Sequence, residues 1–212
     1  FLTNRTVADL VGHADEPILS ARINGAVAIL GADNRFSVAK LPLETEGVNL
    51  LTATVTDRAG NSGSASVTIE RDSTPPAAPV LAPAASTTNA AVTAVSGSCE
   101  AGATVTITLQ QPDGALSTLP ILISADADGD GDGEFSLNGV ALSDEGSYLF
   151  RAVAIDIAGN SSPSATAEVV RDVTAPVIGI TDPPDDSVSE DLVIDITGTV
   201  DDPEAVLTID GD

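Results

Sequence analysis

Basic side chains are scarce in this sequence: 8 Lys and Arg stand against 32 Asp and Glu, a formal net charge of −24 over 212 residues. A surface of that sign has no face with which to neutralise phosphates, which excludes non-specific nucleic-acid binding and argues against docking on anionic lipid. Aromatics are nearly as rare, with four Phe, one Tyr and no Trp. Cysteine occurs once, at Cys99, so neither an intrachain disulfide nor a thiolate metal cluster can form. His13 is the single histidine. No apolar run approaches the roughly 18–20 residues needed to span a bilayer, so no membrane insertion is expected in this segment. Methionine is absent and no signal peptide is visible, as expected of a processed or excised piece. What remains is 42% hydrophobic, a globular rather than a disordered composition.

The chain repeats itself. Thr54-Val-Thr-Asp57-Arg-Ala-Gly60-Asn61-Ser62 returns as Val153-Ala-Ile-Asp156-Ile-Ala-Gly159-Asn160-Ser161, and Arg71-Asp72-Ser-Thr74-Pro75-Pro76 as Arg171-Asp172-Val-Thr174-Ala-Pro176. Upstream, Thr3-Asn4 through Gly12 matches Thr88-Asn89 through Gly97, and Gly198 to Gly211 aligns on Gly12 to Gly25. These matches divide the chain into residues 1–74, a first repeat lacking its leader strand, 75–174, a complete second repeat with an acidic loop insertion, and 175–212, the start of a third. We therefore expect a window on a longer array whose modules depend on their neighbours.

Within each repeat the signals are strand and turn. Val92–Ser96, Ala103–Leu109 and Glu134–Leu137 alternate or are β-branched, and Gly, Asn, Asp and Pro punctuate them. Asn24-Gly25 between Ser20–Ile23 and Ala26–Leu30 is a strong hairpin signal. No stretch holds a 3.6-residue apolar period. About seven short strands in roughly 85–100 residues is the expectation for an immunoglobulin-like sandwich. The predicted fold is all-β: tandem immunoglobulin-like β-sandwich modules arranged end to end. Asp144-Glu-Gly146-Ser-Tyr148 has the spacing of a tyrosine corner; the first repeat has Glu46-Gly47-Val-Asn49 there, so the corner is expected in the second repeat alone.

The Asp-x-Ala-Gly-Asn hairpin followed by Arg-Asp-x-Thr-x-Pro resembles the tandem bacterial Ig-like repeats of large surface proteins and adhesins. The Ile23-Asn24-Gly25 turn and Glu46-Gly47-x-Asn49 corner are also similar to the glucodextranase domain-B type of Ig-like module. The resemblance covers essentially the whole chain. It implies a non-catalytic segment at a bacterial cell surface, its partners being neighbouring Ig-like modules of the same chain and an unidentified host-cell, matrix or glycan ligand. The second likeness implies an alternative, a carbohydrate-binding accessory module of a secreted polysaccharide-active enzyme. Sugar sites present exposed aromatic faces; Phe36, Phe135, Tyr148 and Phe150 read as core, leaving Phe1 alone.

Chemistry concentrates in the acids. Asp126-Ala-Asp128-Gly-Asp130-Gly-Asp132-Gly-Glu134 sets carboxylates at every second position with glycine between, the oxygen-rich tight loop that Ca²⁺ takes. It is no EF-hand: counted from Asp126, the position of the bidentate glutamate holds Leu137, and Phe135 opens a strand. A flexible acidic surface loop is the alternative. Placing the repeats on a sandwich gives a second set. Asp72 leaves the first module where Glu100, the Asp126–Asp132 loop and the Asp156/Asn160 hairpin of the second begin, and Asp172 stands likewise toward Asp201, Asp202 and Glu204. The resemblance to calcium-stiffened adhesin arrays implies Ca²⁺ across these junctions. Equally open is turn chemistry alone, with Asp57 and Asp156 accepting backbone N–H groups and Asp72 starting an Asp-Ser-Thr-Pro turn. Prolines 75, 76, 79 and 83 favour a stiff connector. A single lysine among so many acids also resembles a halophile surface.

Catalytic readings find little. His13 has no Gly-x-Ser-x-Gly elbow to serve, Cys99 lies beside Glu100 rather than a cation, and no phosphate loop or dinucleotide fingerprint occurs. We expect no enzyme.

Overall fold

A computed structural model describes residues 1–212 apart from 186, 187, 189, 191–194, 204 and 209–212. The described residues form strands and turns with no helix. They divide into two compact units, Phe1–Arg171 and Asp172–Asp212.

The first unit holds two sandwiches. In the first, β1 (Leu2–Thr3), β2 (Val7–His13), β3 (Ser20–Ile23), β4 (Ala26–Val27), β5 (Ile29–Leu30), β6 (Arg35–Pro42), β7 (Gly47–Thr56) and β8 (Ser62–Arg71) make two facing sheets, ordered β1-β8-β7-β3-β4 and β2-β6-β5. In the second, β9 (Val80–Pro83), β10 (Thr87–Thr88), β11 (Val92–Glu100), β12 (Thr104–Gln110), β13 (Leu116–Thr118), β14 (Leu122–Ile123), β15 (Asp132–Ala141), β16 (Gly146–Ile155) and β17 (Ala165–Arg171) make sheets β10-β17-β16-β12-β13, with β14 also on β12, and β15-β11-β9. The sandwiches share most of their pairings: β1 pairs β8 in parallel as β10 pairs β17, and Gly12 faces Phe36 as Gly97 faces Phe135. They differ in β9, which only the second has, and in β5, which pairs β6 where β14 pairs β12. The second unit contains β18 (Ile178–Asp182) paired with β19 (Thr197–Val200), with Ile180 opposite Gly198 as Leu81 is opposite Gly97.

Alternation builds the cores. Along β12 every second residue is buried, and Val105, Ile107 and Leu109 point inward with Phe150, Tyr148, Ala152, Ala154 and Val169 from β16 and β17. The first core is smaller: Ala21, Ile23, Ala28, Phe36, Leu41, Leu43, Leu51 and Ile69. Phe36 and Phe135 lie over Gly12 and Gly97, and a methyl group at Gly97 would overlap both the Phe135 ring and the Val80 carbonyl, so the close approach of β9 requires glycine. Asn24 and Gly25 both have positive φ, 45° and 84°, the conformation the hairpin signal implied. The strand expected over Ala26–Leu30 divides at buried Ala28, so that β4 stays with β3 while β5 crosses to β6.

One expectation is corrected. The corner is present in both sandwiches. Tyr148 donates its hydroxyl to the Asp144 carbonyl at 2.9 Å and accepts from Asp144 N–H at 2.8 Å. In the first sandwich Asn49 donates through Nδ2 to the Thr45 carbonyl at 2.8 Å and accepts from Thr45 N–H at 3.2 Å. An amide carries both a donor and an acceptor, so it does the work of the phenol in less volume.

Candidate metal-binding loop and module junction

The acidic loop joins β14 to β15. Gly129 and Gly131 take positive φ (84° and 100°), which lets the chain turn back on itself twice. The carboxylates fold over their own backbone: Asp126 Oδ1 accepts from Gly129 N–H at 2.7 Å, and Asp130 Oδ1 from Asp132 N–H at 2.9 Å. As a result Asp126, Asp128 and Asp130 each place one oxygen within 4.8 Å of the other two, while all three side chains remain exposed. Ligands at about 2.4 Å from a shared calcium ion would have that spacing, so the trio fits a hard cation. Asp132 and Glu134 are not part of it. They lie in β15, where Asp132 is opposite Glu100, and Glu134 Oε2 accepts from Ala127 N–H at 3.1 Å, closing the loop at its base.

The junction between the two sandwiches is built from the repeated hairpin. Asp156 is buried, 7% exposed, and its carboxylate caps the turn: Oδ1 accepts from Gly159 and Asn160 N–H at 2.7 and 2.8 Å, and Oδ2 from Asn160 Nδ2 at 2.8 Å. Asn160 Nδ2 also donates to the Asp72 carbonyl of the first sandwich at 2.9 Å. From the other side Asn4 donates its backbone N–H to the Ala158 carbonyl at 3.2 Å and its Nδ2 to the Gly159 carbonyl at 2.8 Å. Asp72, Glu100, Asp156 and Asn160 are thus brought to one junction. Asn160 takes part through its amide nitrogen, and the junction carboxylates do not converge as the loop trio does. Asp72 Oδ1 accepts from Thr74 N–H at 3.0 Å, so turn chemistry operates there as well.

Acids crowd together at this place. Glu100 is held above its ordinary carboxylate value, first by burial and then by repulsion from Asp156 and Asp72. Burial also pushes Asp156 upward, but its hydrogen bonds from Asn160 and Gly159 outweigh that and leave it lowered. Asp57, in the equivalent hairpin of the first sandwich, is lowered by the same Asn61 side-chain and backbone bonds.

In the second unit, Asp172 Oδ1 accepts from Thr174 N–H at 2.9 Å and Asp201 Oδ1 from Val177 N–H at 2.7 Å. Asp201 and Asp202 follow β19 directly, and neither joins Asp172 in a group like the loop trio among the described residues. Glu204 lies outside the described residues. Cys99 is buried, and its thiol is pushed up by burial and by Glu100 and Asp132, a protonated sulfur unsuited to attack. His13 is exposed at the end of β2.

The reading of the sequence missed Asn4. Its signal was present in the match of Thr3-Asn4 to Thr88-Asn89, but a short polar residue beside a strand reads as a turn former until a partner surface is seen.

No protein family matches the chain by profile, and no curated protein matches it by sequence. Among solved structures it is similar to a tetra-tandem repeat in the extending region of a large adhesion protein. That match has 23% identity and a TM-score of 0.44, covering 92% of this chain and 52% of the other. It is similar also to a structure concerned with host cell surface retention of a 1.5-MDa bacterial ice-binding adhesin, with 18% identity, TM-score 0.39, and coverage of 83% and 62%. A third is an amphioxus IgVJ-C2 molecule, with 10% identity, TM-score 0.31, and coverage of 80% and 99%. The structural neighbours are tandem adhesin repeats and Ig-like domains, and the chain spans about half the length of the first.

Proposed function

We propose that this chain is a non-catalytic, extracellular spacer segment of a bacterial surface adhesin, whose Ig-like modules are stiffened by Ca²⁺ taken up at the acidic loop and beside the module junction. The observation that carries this reading is the convergence of Asp126, Asp128 and Asp130 within 4.8 Å, on a loop whose far end places Asp132 opposite Glu100 at the junction. An ion bound by the trio would hold the loop against the end of the sandwich that meets the first module. It would also relieve the repulsion among acids that have gathered without a cation. Buried Phe36, Phe135, Tyr148 and Phe150 leave Phe1 as the exposed aromatic, which does not favour a sugar-stacking surface.

The test is thermal unfolding in EDTA, then in Ca²⁺, with Mg²⁺ as control. With a dissociation constant of about 10⁻⁴ M, usual for extracellular modules, about 10 mM Ca²⁺ would stabilise the folded state by about 2.7 kcal/mol. Asp126→Ala with Asp130→Ala should abolish most of that gain. An undiminished calcium gain in the double variant would remove the loop from the mechanism, and no gain in the parent chain would remove calcium.

A further inference from the structure

One hairpin occurs twice in the first unit, in the same conformation and in two states of burial. Asp57 N–H donates to the Asn61 carbonyl at 3.0 Å and Asp156 N–H to the Asn160 carbonyl at 3.1 Å. Gly60 and Gly159 have φ of 93° and 97°. Asn61 Nδ2 reaches Asp57 Oδ2 at 2.8 Å, as Asn160 Nδ2 reaches Asp156 Oδ2. Yet Asn61 is exposed and Asp57 partly so, whereas Asn160 and Asp156 are both buried. The turns themselves being alike, the buried copy is distinguished by what meets it: the Asp72 carbonyl and the two N–H donors of Asn4 from the first sandwich, besides Gly102 of its own sandwich beside Ile157.

We infer that the Asp57–Asn61 hairpin is a second docking site of this kind, and that its occupant is the exit edge of another Ig-like module of this chain's own repeat type. The complementary edge is an Asn that follows a short first strand, beside an Asp carbonyl at the end of the last strand. The turn that sets this Asn recurs in both sandwiches. Arg5 N–H bonds Thr3 Oγ1 at 3.2 Å and positions Asn4, and Ala90 N–H bonds Thr88 Oγ1 at 3.1 Å beside exposed Asn89. The hairpin is equally ready, since Asp57 already caps it and Asn61 Nδ2 is free to take a carbonyl beyond the turn, as Asn160 does. The three hydrogen bonds of the docked copy run from N–H to O=C and hold no ion, so this recognition is tested apart from the calcium reading.

The experiment is therefore done in EDTA, by hydrogen exchange. A chain is made with one more module ahead of the first, residues 75–171 followed by 72–86 and then 2–212, which reproduces the linker of the natural junction. Exchange at Gly60 and Asn61 should slow by on the order of tenfold relative to the parent chain. Changing the added module's copy of Asn89 to Ala, which touches neither hairpin, should restore the fast rate. Rates at Gly60 and Asn61 unaltered by the added module would overturn the inference. A measurement on the parent chain bears on it too: Asn4→Ala should raise exchange at Gly159 and Asn160 toward the rates at Gly60 and Asn61, and unchanged rates there would also overturn it.

Discussion

Lys40 sits with φ of 56° where β6 bulges against β2, two residues opposing Asp9 alone. Its N–H is held by Asp9 Oδ1 at 2.8 Å, so the turn is needed, but its side chain is exposed. In the second sandwich the same bulge carries Gly139, with φ of 73°. An L side chain in this region costs about 1–2 kcal/mol, and replacing it by glycine returns about 0.4–1 kcal/mol of that through the looser unfolded chain. Lys40→Gly should therefore stabilise by about 0.5–1 kcal/mol. That corresponds to about 2–8 °C in Tm if the first sandwich melts alone, and about 1–4 °C if it melts together with the second. Thermal and urea unfolding followed by circular dichroism would read this, with an unchanged urea slope as the sign that stability alone has moved. Lys40→Ala is the control, because it removes the charge and keeps the Cβ. Glycine and alanine variants that melt together would show that backbone strain is not the cause, and a less stable glycine variant would refute the reasoning outright.

Other outcomes follow from the same geometry. Tyr148→Phe removes both corner bonds at once from a fully buried ring and should cost about 2–3 kcal/mol in urea unfolding; Asn49→Leu should do comparable damage, and a neutral result there would deny the asparagine corner. Glu100 has a raised folded pKa, so the stability it contributes is full below its ordinary value of 4.5 and is lost as pH rises through the higher folded value. Glu100→Gln should accordingly raise Tm in EDTA at pH 7 and leave it unchanged at pH 3, whereas a gain that persists in acid would speak against repulsion. Asp156 is lowered, so its contribution is present above 3.8 and is lost as pH falls through the folded value; Asp156→Asn should flatten the acid limb of the stability curve.

The repeat, the strand content and the place of the junction were legible because each rests on local pattern. Asp-x-Ala-Gly-Asn names a turn in any context, and once the turn is on a sandwich, strand direction alone brings Asn160 toward Asp72. What escaped depends on atoms supplied from far along the chain. The role of Asn49 was hidden because the corner was sought as a phenol, when the backbone of Thr45 asks only for one donor and one acceptor. The split of Ala26–Leu30 at Ala28 was hidden because the run is apolar throughout, and only the opposite sheet decides which way each half pairs. In the acidic loop the sequence offered five equivalent carboxylates; the start of β15 divides them, leaving three in the turn and committing Asp132 and Glu134 to the ladder.

The parallel pairing of β10 with β17 has a mechanical meaning. Thr87 lies opposite Val170 and Thr88 opposite Arg171, and Val170 N–H reaches back to the Ser86 carbonyl at 2.8 Å. The chain enters on the short β9 of the opposite sheet, passes straight into β10, and leaves through β17, so once β9 has let go the load falls on this pair. Tension on the two ends therefore pulls parallel neighbours in opposite directions along their own axes. The bonds between them are loaded in shear and must yield together, where an antiparallel terminal pair would open one bond at a time like a zip. The first sandwich repeats the device with β1 and β8, so a pull transmitted from module to module meets the same resistant geometry at each step.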